Sequence, residues 1–146
     1  MKILSIVFAG LTLVVAGLVF WLSKVAGGGL SLLDLFLDAF AVVKLTLILL
    51  VPVLILAVFL PNGRGQAGGV LKVLMWSALG LAALVTAERV LNIQNAVQRT
   101  HTTNLQVVAP SLAESLMPLV LGLLIAAIAA WKIASARPPS PAPAFD

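Results

Sequence analysis

Residues 105–135 read LQVVAPSLAESLMPLVLGLLIAAIAAWKIAS, an apolar segment long enough to cross a bilayer. Its single carboxylate, Glu114, lies near the start. A membrane helix tolerates a charge there only if the group caps, pairs or works. Gly122, Ala126 and Ala130 form a stripe of small residues along the same segment. Such stripes let a second helix approach closely. The segment reads as a membrane helix built to pack against others, with a polar feature at one rim.

The rest of the chain is of the same kind. Of the 146 residues, 62% are hydrophobic and only 10% charged. The mean hydropathy is +1.17. A soluble globule of this size cannot bury so much apolar surface. The apolar runs are continuous, whereas barrel strands would alternate over about 10 residues. The expected fold is therefore an all-α integral membrane protein. With no cysteine, disulfides and thiolate metal sites are excluded. The one histidine, His101, cannot build a metal cluster alone, and no cofactor is expected. The net charge of +4 fits membrane orientation better than nucleic-acid binding.

Four spans are predicted, at about residues 3–23, 39–60, 70–91 and 112–135. They make one membrane domain, residues 1–136, followed by a disordered proline-rich tail, residues 137–146. The first run is longer than a signal-peptide core and lacks a clear cleavage site, so it reads as a retained span. After Gly27-Gly28-Gly29, the run SLLDLFLD reads as a short interfacial helix before the second span, with Asp34 and Asp38 sharing a face. Lys44 sits about one turn inside the second span, where it can snorkel or be buried for function. Pro52 is expected to kink that span, and Pro118 to loosen the fourth. The helical pattern of the third span continues through Ile93 and Val97. Lys2, Arg64, Lys72, Lys132 and Arg137 fall on one side. Lys24, Arg89 and Arg99 fall on the other, so the basic residues favour both termini in the cytoplasm.

Few residues offer chemistry. Ser111-Leu112-Ala113-Glu114 matches the S-x-x-E capping box, which makes Glu114 a structural cap. The functional alternative is a rim carboxylate that attracts cations or meets a partner. Thr86 and Ser115 are hydroxyls that either bond back to their own helix or carry water and protons. Glu88 is placed to meet Asn92. Gly80, Ala83 and Ala87 form a small-residue ridge on the third span, matching that of Gly122, Ala126 and Ala130 on the fourth. The ridges pack on each other or join subunits. No nucleophile–base pair, phosphate loop or metal spacing is present, so an enzyme is not expected.

The run VVAPSLAESLMPLVLGLLIAAIAA, from Val107 to Ala130, resembles the last membrane helix of the MotA/TolQ/ExbB proton-channel family. That helix follows a loop ending in aPgIaEAL and continues through small residues and a glycine to an alanine-rich end. Pro110, Leu112, Ala113, Glu114, Leu116, Gly122 and Ala126 match in order. The run ALGLAALVTAERVLN, from Ala78 to Asn92, sits where the family has a GLLGTVxG helix, with Gly80 and Val85 in place. The resemblance covers about residues 72–135. Leu84 and Leu119 stand where the family has pore threonines, and only the 61–72 turn replaces its large cytoplasmic region.

The resemblance implies an energy-transducing subunit of the bacterial inner membrane. It implies a homo-oligomeric ring, a pentamer, around a single-span partner like ExbD, TolR or MotB that carries a membrane aspartate. Thr86, Ser115 and Glu114 are then the pore or proton-path candidates. Two other classes fit the same sequence. One is a small holin-like pore-forming protein; the other is a structural membrane subunit or assembly factor.

Overall fold

The computed structural model describes residues 2–25, 41–61, 65–101 and 104–136. Four helices fill these segments: α1 (Lys2–Val25), α2 (Ala41–Phe59), α3 (Gln66–Thr100) and α4 (Leu105–Ala134). Each is long and apolar enough to cross a membrane. The expected interfacial helix before the second span and the proline-rich tail lie outside the described residues.

Near-continuous apolar sequence makes these segments helical, because in lipid every backbone N–H and C=O must be satisfied within its own segment. α4 is the hub and touches all three other helices. Half of its spanning window is buried, against 11% for α1. α1 and α3 run antiparallel to α4, whereas α2 runs parallel to it. Phe8, near the start of α1, packs with Leu123, Ala126 and Ala130 near the end of α4. Val19 and Leu22, near the end of α1, pack with Ala109 and Ala113. The start of α1, the end of α4, Leu60 and the start of α3 thus share one end of the bundle, the terminal end. The α3–α4 connection marks the other, the hairpin end. Trp21 and Trp131 sit exposed near opposite ends, where amphipathic rings favour the membrane–water boundary.

The tightest helix crossing is between α3 and α4. A Cβ added to Gly122 would lie 2.4 Å from the Cβ of Ala82 and 3.1 Å from the carbonyl oxygen of Ala78. Only glycine fits there. On α3 the buried apolar side chains are Leu71, Met75, Ala78, Ala82 and Val85, a stripe with alternating four- and three-residue spacing. The Gly122–Ala126–Ala130 ridge meets this stripe. Gly80, Ala83 and Ala87 do not, because they are exposed. Two residues of helix turn a side chain by about 200°, so Gly80 points away from the surface that Ala82 presents to α4.

The helical pattern beyond the third span is realised, whereas the start of the fourth helix differs from expectation. α3 continues to Thr100 and stops where His101 takes a left-handed conformation (φ 53°). α4 begins at Leu105 and carries both Pro110 and Pro118 inside it. The extra turns of α4 are held by packing, since Ala109 and Ala113 are fully buried against α1. That burial offsets the backbone hydrogen bond that Pro110 removes. Ser111 and Glu114 therefore lie inside α4, and the capping-box reading does not hold. α2 likewise runs helical through Pro52.

A buried lysine ties the terminal end together. Lys132 of α4 donates from Nζ to the carbonyl oxygens of Val58 and Leu60. These belong to the last turn of α2 and the residue after it, where carbonyls lack intrahelical donors and the helix dipole favours a cation. Ser5 of α1 adds a bond from Oγ to the Ala127 carbonyl at 3.2 Å.

Candidate functional site

The polar residues of α3 and α4 converge at one level, toward the hairpin end. Thr12, Thr46 and Ser115 each donate to the carbonyl four residues back in their own helix. That is the local bond expected of a hydroxyl in a membrane helix. Thr86 does otherwise. Its Oγ1 donates across the interface to the Ser115 carbonyl at 3.1 Å, and this bond is buried. The Ser115 hydroxyl donates in turn to the Ser111 carbonyl at 2.6 Å. Thr86, Glu114 and Ser115 are all buried, so the three candidates sit inside the bundle and none faces outward.

Just below this layer, Val85 of α3 packs with Val43 and Leu47 of α2 and with Met117 and Leu121 of α4. Arg89 is one turn beyond Val85, and Glu114 one turn before Met117, so both point to the same level. Lys44 follows Val43 at the start of α2. A buried carboxylate is thus placed near the height of Arg89, with Lys44 on α2 next to the Val43–Val85–Met117 contact. Arg89 and Lys44 are half-buried. None of the three is without a partner. The Nε atom of Arg89 is nevertheless buried with no acceptor among the described residues. Such a donor is costly unless water reaches it.

The half-burial of Arg89 is a finding of the structure. The signal was its spacing, since Arg89 lies three residues after Thr86 and shares its helix face. Glu88 does stay exposed and accepts a 3.5 Å contact from Asn92 Nδ2. Lys24, also at the hairpin end, places Nζ 4.8 Å from the centre of the Phe20 ring. The burial of Lys132 had no sequence signal beyond its place near a helix end.

The two sides of the polar layer contrast. Toward the hairpin end, α3 and α4 part to form a partly open cleft of about 280 Å³. Ile93, Val97 and Thr100 line it from α3, and Val107, Val108 and Ser111 from α4. Toward the terminal end, Leu81, Val85, Met117 and Leu121 close the interface, followed by the Ala78–Ala82–Gly122 crossing. A buried carboxylate and two buried hydroxyls thus lie between the cleft and this close-packed stretch.

No protein-family model, curated protein or solved structure matches this chain. The likeness to the proton-channel family therefore stands on the residues of α3 and α4 quoted above.

Proposed function

We propose that the chain is a bacterial inner-membrane subunit of an energy-transducing complex similar to those of ExbB, TolQ and MotA. The observation that carries this reading is Glu114. It is a carboxylate buried within an apolar helix, it lies inside that helix rather than at its start, and Ser115, next to it in sequence, and Thr86 are buried as well. A bundle held together by apolar burial has no structural need for such a group, and intramembrane carboxylates mark ion or proton pathways. In this reading both termini are cytoplasmic and the hairpin end faces outward. The exposed Gly80–Ala83–Ala87 ridge meets a neighbouring subunit, and the ring encloses a single-span partner with a membrane aspartate.

Gentle detergent extraction of the tagged full chain tests this. The expected result is an oligomer that carries a single-span protein with an aspartate in its membrane segment. A lone monomer or dimer under conditions that keep the helices folded would count against it.

A structural subunit or assembly factor is the second reading, and one observation favours it. The Thr86 and Ser115 hydroxyls both donate to main-chain carbonyls, which builds a rigid joint. In that case Glu114 serves packing specificity, and its charge is dispensable for ion movement.

A further inference from the structure

Side-chain burial along α2 is uneven about Pro52. Before the proline, Val43, Thr46, Leu47 and Leu50 are buried; after it, only Ala57 is. Val53 and Leu54 are half-buried against the cluster of Ala57, Ala78, Ala82 and Ile125. Ile55, Leu56, Val58 and Phe59 are exposed. In lipid, an apolar contact between helices only replaces one with acyl chains. One buried methyl group and two half-buried side chains therefore hold the far half of α2 weakly.

The link between the two halves is weakened as well. Pro52 has no N–H for the Ile48 carbonyl, and its ring crowds that oxygen. Sharp bends in long helices arise at such positions. What fixes the far half is polar. Lys132 of α4 donates to the Val58 and Leu60 carbonyls. The chain stays helical up to that contact, since the Leu60 N–H donates to the Leu56 carbonyl at 2.9 Å. A charged donor makes each bond roughly twice as strong as a neutral one. Both are shielded, because Lys132 is only 8% exposed.

We propose that residues 53–60 form a hinged half-helix, with Pro52 as the hinge and Lys132 as the latch that holds its end against α4. With the latch engaged, the segment covers Ala78 of α3 and Ile125 of α4. With the latch released, it swings about Pro52 while the first half of α2 stays docked through Val43, Leu47 and Leu50. Release exchanges one set of oxygen acceptors for another. The ammonium leaves the two carbonyls for headgroup or water oxygens, which its long stem can reach. Trp131, next in sequence, is exposed near the membrane boundary, so those oxygens are close. The device belongs to α2 and α4 at the terminal end and does not rest on the role of Glu114.

The chain contains no cysteine, so nitroxide labels can be placed on chosen pairs in the full-length protein. One label goes on exposed Leu13 of α1 (L13C). The second goes on exposed Leu45 before the hinge (L45C) or on exposed Phe59 after it (F59C). Pulsed dipolar spectroscopy in nanodiscs of native lipid reads the two distance distributions. Lys132→Met should broaden and shift the 13–59 distribution and leave the 13–45 distribution unchanged. Lys132→Gln keeps a donor on a shorter stem and should give the same pattern at smaller amplitude, which covers the case in which the methionine variant does not fold. Pro52→Ala added to either variant should narrow the 13–59 distribution again, because alanine restores the N–H to the Ile48 carbonyl. An unchanged 13–59 distribution in both Lys132 variants would overturn the latch. Equal broadening of both pairs, or broadening that persists with Pro52→Ala, would overturn the hinge.

Discussion

Gly122 shows how one missing carbon sets a helix crossing. Its hydrogen faces Ala82 and Ala78 at a distance that no Cβ can share. Gly122→Ala should therefore push α3 and α4 apart and cost about 1–3 kcal/mol, the usual range for overpacking. Reversible unfolding in mixed micelles reads this directly, and an unchanged midpoint would contradict it. Gly80 has open space around it, so Gly80→Ala should leave the fold of a single chain intact or stabilise it slightly. Lys132 is a second single-residue device. Lys132→Met leaves the Val58 and Leu60 carbonyls without their donor, for a loss of about 1–3 kcal/mol. Arginine at the same position should restore part of it, since it also carries charge and donors. Thr86→Val should cost less, about 0.6 kcal/mol, the mean for interhelical hydrogen bonds in membranes.

At the scale of the helices, the sequence made the four spans legible because each must satisfy its own backbone and expose apolar side chains to lipid. It did not reveal which face of α3 meets α4. Gly80–Ala83–Ala87 and Ala78–Ala82 are both small-residue stripes on one helix, and only the partner's shape chooses between them. The S-x-x-E pattern at Ser111 misled for a related reason. Capping logic is local, whereas α4 is extended past Ser111 by contacts of Ala109 and Ala113 with Val19 and Leu22 of α1. Glu114, Ser115 and Thr86 were recognisable as the polar exceptions in apolar helices. Their junction was not, because the Thr86–Ser115 bond joins residues on different helices. The proposed subunit contact through α3 makes a prediction at this scale. Gly80→Leu should weaken oligomerisation in crosslinking or native mass measurements while the isolated chain stays folded. Full retention of the oligomer would place the subunit contact on another helix face.

For the whole molecule, the main feature is asymmetry along the bundle axis. The terminal end is fastened by the buried Lys132 and by the Gly122 crossing, in an otherwise apolar core. The hairpin end carries the buried carboxylate, the half-buried Arg89 and the cleft. The proposed role as an energy-transducing subunit would draw on this difference between the ends. The decisive measurement is proton flux under an imposed membrane potential, in vesicles that hold the full complex with either the native chain or Glu114→Gln. Glutamine keeps the shape and removes the exchangeable acid. The account predicts that flux is lost while the assembly purifies unchanged; equal flux from both proteins would contradict it.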